Sequence, residues 1–119
     1  MKQTISIDEL KNLIDTNANF VLIDVRTKEE LSHGMIPKAK NIPLHEIEQS
    51  ISLSDEQFQE KYGFSKPKKQ DKIVFYCRTG SRSQLATEIA TKGGFENAKN
   101  FHGSVWAWSD IDPKVHKYF

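Results

Sequence analysis

Two short apolar runs, FVLIDV at positions 20–25 and IVFY at positions 73–76, constrain the fold of this chain more than any other feature. Neither alternates polar with apolar residues, as a strand with one wet face does, so each reads as a strand buried on both faces. Such strands belong to parallel sheets, whose crossover helices cover both sides. The sequence between and around the runs supplies those helices. Ser6 with Glu9 makes a capping box, after which Ile7, Leu10, Leu13 and Ile14 recur at helical spacing. Thr27 caps a short helix, with Glu30 at the reciprocal position. Ser54 and Gln57 open another helix towards Tyr62, stopped by Gly63. Positions 84–92 place Leu85, Ala86, Ile89 and Ala90 on one helical face before Gly93 and Gly94 end it. Extended segments are expected at 39–42, closed by Pro43, and at 98–101, and Ser104 can cap a last helix through Trp106 and Trp108. Strands alternating with helices through short connections imply an α/β fold around a mostly parallel sheet. Ligands of such sheets bind beyond the carboxyl ends of the strands.

The chain of 119 residues is expected to form one domain over 1–119. A formal net charge of +1 gives no general attraction to nucleic acid or to a membrane surface. The lysines at 66, 68, 69 and 72 read as a solvated connection around Pro67. No apolar run reaches the ~18 residues of a membrane span. The N-terminus has neither an apolar secretory core nor an arginine-rich transit pattern, so the expected compartment is cytoplasmic, with a processed mitochondrial precursor also compatible. Cys77 is the single cysteine, so no intramolecular disulfide forms and no structural zinc site can be completed around it. The histidines at 33, 45, 102 and 116 lack metal-ligand spacing and read as surface residues, with His102 worth checking against the cysteine. Trp106 and Trp108 read as packing residues.

The chemistry concentrates in Cys77-Arg78-Thr79-Gly80-Ser81-Arg82-Ser83, which follows the second buried strand and opens a helix. A lone cysteine at a strand end is ordinarily a small buried hydrophobe. A buried structural thiol needs no pair of arginines and no glycine turn. A helix N-terminus offers free amides and a favourable dipole to a thiolate. Arg78 and Arg82 add positive charge and could attract an anionic substrate. Gly80 and small hydroxyl residues let successive amides turn into one concavity. A nest of that kind can hold a persulfide, or the sulfonate of thiosulfate. Asp24 and Arg26, at the end of the first buried run, fall at the same sheet edge if the two strands are neighbours. There, a structural ion pair such as Arg26 with Glu30 is expected over direct contact with substrate, while Asp24 could bind loop amides or Arg82.

These segments together resemble the rhodanese family. Residues 77–82 are similar to its active-site loop, in which a cysteine opens a short loop at a strand end and a basic residue closes it. Asp24-Val25-Arg26 with Glu30 resembles the family's Asp-Val-Arg-x-x-x-Glu signature. The segment GMIPKAKNIP at 34–43 resembles Gly-His-Ile-Pro-Gly-Ala-x-Asn-Ile-Pro. Phe101-His102-Gly103-Ser104 with Trp108 resembles the closing glycine-and-tryptophan segment. Met35 stands for the usual histidine, Lys38 for the usual glycine, and Ser104 where a second glycine is common. The insertion at 58–69 is similar to that of small eukaryotic single-domain thiosulfate sulfurtransferases.

The resemblance implies a rhodanese-like fold, a five-stranded parallel sheet with helices on both faces. It also implies sulfur transfer through a persulfide on Cys77, with no metal or organic cofactor. Thiosulfate or another sulfane donor would load the thiol, and cyanide, glutathione or a thioredoxin-type dithiol would accept the sulfur in ping-pong covalent catalysis. Two alternatives compete. A rhodanese-like phosphatase or arsenate reductase would carry one more residue in the loop than the six from Cys77 to Arg82. A non-catalytic rhodanese-type binding module would typically lack the cysteine.

Overall fold

The computed structural model describes residues 3–119, and its core is a five-stranded sheet with every pairing parallel. In chain order the elements are β1 (Thr4–Ile5), α1 (Ile7–Asp15), β2 (Val21–Asp24), a 3-10 helix (Glu29–His33), β3 (Ala39–Asn41), α2 (Leu44–Ser52), α3 (Asp55–Tyr62), β4 (Ile73–Tyr76), α4 (Ser81–Lys92), β5 (Ala98–Phe101) and α5 (Ser104–Trp108). The strand order is β1-β5-β4-β2-β3. The two apolar runs are adjacent, with Val21 opposite Ile73 and Asp24 opposite Tyr76. The ends of β2 and β4 therefore share one edge, which puts Asp24 beside the strand that leads into Cys77.

The continuous apolar character of these strands follows from two cores, one per sheet face. Along β4 the side chains alternate: Ile73, Phe75 and then Cys77 enter one core, Val74 and Tyr76 the other. The first core is closed by α2, α3 and α4 through Ile47, Phe58, Ala86 and Ala90. The second is closed by α1 and α5 through Leu10, Val105 and Trp108. Helices thus cover both faces, as the apolar runs require.

The capping boxes of Ser6 with Glu9 and Ser54 with Gln57 form. Thr27 and Glu30 exchange the expected reciprocal bonds, but the short helix is 3-10 and Lys28, not Thr27, is its N-cap. The lysine-rich connection is more than a solvated linker. Lys66 Nζ donates to the carbonyls of Ile51 and Leu53 at 2.9 and 2.7 Å, satisfying acceptors at the end of α2. Three further features depart from the sequence expectation. Helix α2 starts after Pro43 with no side-chain cap, so no N-cap residue announces it. Strand β1 is two residues long and exists through its pairing with β5. Helix α4 begins at Ser81 rather than at 84, which brings Ser81, Arg82 and Ser83 into its first turn. Among the described residues no helix is long and apolar enough to cross a membrane.

Candidate active site

Cys77 is the first residue beyond β4, and the chain from it to Gly80 curls so that its own sulfur becomes the acceptor. The amide of Gly80 donates to Cys77 Sγ at 3.0 Å, and Ser83 Oγ lies 3.4 Å from the same atom. The Ser83 hydroxyl also reaches the Gly80 carbonyl at 3.2 Å. Its single hydrogen serves one acceptor at a time, and a thiolate is the stronger one. The curl depends on Gly80, whose φ of +104° lies where residues with a Cβ are strained. A Cβ there would also strike the carbonyl of His102. The His102 Nδ1 lies 3.0 Å from the same point, so His102 abuts the loop through both its backbone and its ring.

The loop is pinned from outside by α5. The amides of Val105 and Trp106 donate to the carbonyls of Cys77 and Arg78, both at 3.0 Å. Ser104 does not cap α5 with its side chain, contrary to expectation. Its hydroxyl accepts from the Cys77 amide at 3.1 Å and donates to the Phe101 carbonyl at 2.8 Å. Ser104 sits at a φ of +52°, a glycine-like conformation that accounts for glycine being common at this place in the resembling sequences. Asn100 adds a clamp from β5, donating Nδ2 to the Gly80 carbonyl at 3.2 Å.

Cys77 is 1% exposed. Burial by itself pushes a thiol up, yet the Ser83 hydroxyl and the amides of Ser83, Gly80 and Thr79 outweigh it and hold Cys77 below its ordinary value. Hydrogen bonds are therefore the chief influence favouring a thiolate, and the charge of Arg82, coupled to Cys77, adds to them. An inert core cysteine would lack this convergent set of donors.

The ionic partners are exchanged relative to expectation. Arg26 pairs with Asp24, not with the Glu30 carboxylate, and both partners are wholly buried at 2.7 Å. Arg26 spends its remaining hydrogens on the carbonyls of Gly34 and Glu30 and on Tyr118 Oη. Desolvation disfavours its charge, but the hydrogen bonds and charge of Asp24 prevail and hold its pKa above the usual guanidinium value. Glu30 instead receives Arg82 in a bidentate pair at 2.7 and 2.9 Å. That pairing, helped by hydrogen bonds from Tyr118 and the Thr27 amide, holds Glu30 far below the usual carboxylate range. The two residues were separated by 52 positions, whereas Arg26 and Glu30 are near neighbours, so proximity in sequence misdirected the pairing. Arg78 is half-buried and donates to the Tyr118 carbonyl at 3.2 Å. Thr79 and Ser81 are exposed at the mouth of the loop. Among the described residues no three histidine, cysteine or acidic side chains are grouped to hold a metal ion.

Fold and loop together define an α/β protein with a cysteine loop at the carboxyl edge of a parallel sheet. The profile described as Rhodanese-like domain matches residues 6–111, and the chain belongs to that family. It is similar to a Schizosaccharomyces pombe protein provisionally named a mitochondrial thiosulfate sulfurtransferase, 49% identical over 90 residues. That match spans 76% of this chain and 63% of the yeast protein's length. The thiosulfate:glutathione sulfurtransferase of Homo sapiens is 38% identical over 106 residues, covering 88% of this chain and 91% of the human protein. The solved structure of the human single-domain sulfurtransferase TSTD1 superposes with a TM-score of 0.89 at 35% identity, covering 94% of this chain and 99% of that one.

Proposed function

We propose that this chain is a thiosulfate sulfurtransferase that carries the transferred sulfur as a persulfide on Cys77. The observation that carries this reading is the convergence of amide and hydroxyl donors on one thiol at the start of α4. The same donors suit the terminal sulfur of a persulfide, which is also anionic near neutral pH. The Cys77 thiolate attacks the outer sulfur of thiosulfate, a new S–S bond forms, and the old one breaks to release sulfite with its electron pair. A thiolate acceptor then attacks the outer sulfur of the persulfide and restores the Cys77 thiolate. Arg78 recognises the anionic donor, because no carboxylate among the described residues pairs with it. Arg82, tied to Glu30, braces the loop. Asp24 and Arg26 hold the sheet edge beneath it. Glutathione is the acceptor favoured by the human relative's name.

Intact mass measurement tests the proposal directly. Thiosulfate should add the mass of one sulfur atom, and glutathione or cyanide should remove it. Cys77→Ser should show neither adduct nor turnover. Full thiosulfate:cyanide activity in that variant would exclude Cys77 as the carrier.

A further inference from the structure

Tyr118 lies 40 positions beyond Arg78 in sequence, yet it meets Arg78 directly and reaches Arg82, the other arginine of the cysteine loop, through Glu30. Its Oη donates to Glu30 Oε2 at 2.6 Å, on the carboxylate that grips Arg82, and accepts from Arg26 Nη1 at 3.2 Å. Its main-chain carbonyl accepts from Arg78 Nη1 at 3.2 Å, and the Arg78 guanidinium lies 5.7 Å from the centre of its ring. The ring is itself fixed, stacked on His33 at 4.0 Å with 9° between the planes. The amide of His116 donates to the carbonyl of His33 at 2.9 Å, which seats the backbone beside it.

These contacts treat the two loop arginines differently. Arg82 is neutralised by a carboxylate that Tyr118 helps to hold. Arg78 receives only a carbonyl and a ring face from the same residue. Both orient a guanidinium without cancelling its charge. A flexible arginine at a loop mouth otherwise loses side-chain entropy when it grips an anion. We propose that Tyr118 is a positioning residue for anion recognition, holding Arg78 pre-aimed and uncompensated at the mouth of the Cys77 loop so that a small dianionic donor is bound there. The proposal rests on the sulfur-transfer reading for its physiological donor, but its geometry concerns anion binding alone.

Inorganic sulfate, a dianion that cannot transfer sulfur, provides the probe. At constant ionic strength it should protect Cys77 from alkylation by iodoacetamide, a neutral reagent. Tyr118→Ala should raise the half-protecting sulfate concentration about fivefold or more, as should Arg78→Ala. Tyr118→Phe keeps the ring face, which alanine removes, and should shift it less than about twofold. The Tyr118→Ala, Arg78→Ala double variant should be no worse than Arg78→Ala alone, since Tyr118 acts through Arg78. In turnover, Tyr118→Ala should raise the KM for thiosulfate with little change in kcat, a split that general loosening of the fold would not give. Should alanine unfold the segment, Tyr118→Leu keeps bulk against His33 while removing the π face, and the same comparison applies. Unchanged protection in Tyr118→Ala, no protection in the unsubstituted chain, or multiplying losses in the double variant would overturn the proposal. A chain that accepts no sulfur from thiosulfate, while sulfate protection still depends on Tyr118, would instead refute the sulfur-transfer reading.

Discussion

At the scale of single residues the Cys77 sulfur sits among hydrogen bonds that form only once α4 begins at Ser81. The sequence made the cysteine and its glycine turn visible, because Gly80 and two arginines directly after a buried strand have no structural need to be there. It did not reveal Ser83 as a sulfur partner, since a small hydroxyl residue in a first helical turn is unremarkable until its distance to Sγ is known. The pH midpoint of iodoacetamide alkylation should fall below the ~8.5 of a free thiol. Ser83→Ala should raise that midpoint, whereas Arg78→Ala should leave it nearly in place. A midpoint that moves with Arg78 and ignores Ser83 would return the effect to the guanidinium charges. Because folding lowers the thiol's pKa, unfolding at intermediate pH takes up a proton. The stabilisation is fully present above the unfolded value near 8.5 and is lost as pH falls through the folded value. Stability relative to Cys77→Ser should therefore rise with pH across that window, which thermal melts at successive pH values would show.

At the scale of elements, the legible parts were those with a local signature: both capping boxes, the glycine that stops α3, and the two apolar strands. Helix α2 has no polar cap, and β1 has no identity apart from β5, so neither had a local signal to offer. The edge that supports the loop depends on the buried pair of Asp24 and Arg26. Asp24→Ala would leave a buried guanidinium without its counter-charge, at a cost of about 3–5 kcal/mol. Urea unfolding should show that loss, with the KM for thiosulfate of the folded fraction little altered. A loss below about 1 kcal/mol would mean that the carbonyls of Gly34 and Glu30 suffice for Arg26. The departures from the family pattern also acquire a cost. Lys38 occupies a φ of +74° where the resembling sequences carry glycine, so it is strained for a residue with a Cβ. Lys38→Gly should stabilise the chain by about 1 kcal/mol, a rise of roughly 4 °C in Tm, unless its contact with Asn17 matters more. A lower Tm would assign the larger share to that contact.

At the scale of the whole molecule, the two cores stand in unequal relation to the loop. Trp108 belongs to the core under α5, where it meets Phe101 edge-on at 6.4 Å and donates Nε1 to Asp112 at 3.0 Å. It therefore anchors the helix whose first amides grip the carbonyls of Cys77 and Arg78. Phe58 is equally buried but packs in α3 against Tyr62 and Phe64, on the opposite face of the sheet. None of its ring partners contributes a hydrogen bond to the loop. Trp108→Leu and Phe58→Leu should each destabilise by about 1–3 kcal/mol, since both remove part of a filled core. Only the first should slow sulfur loading in the protein that remains folded, because only it loosens α5, whose amides grip the loop carbonyls, although Phe58 shares the core that Cys77 enters. Single-turnover loading by thiosulfate, followed by intact mass at a temperature where both variants are folded, separates the two effects. Equal slowing in both variants would show that the loop senses global stability rather than α5. No slowing in Trp108→Leu would show that the Ser104 hydroxyl and the Asn100 clamp hold the loop without the packing of Trp108.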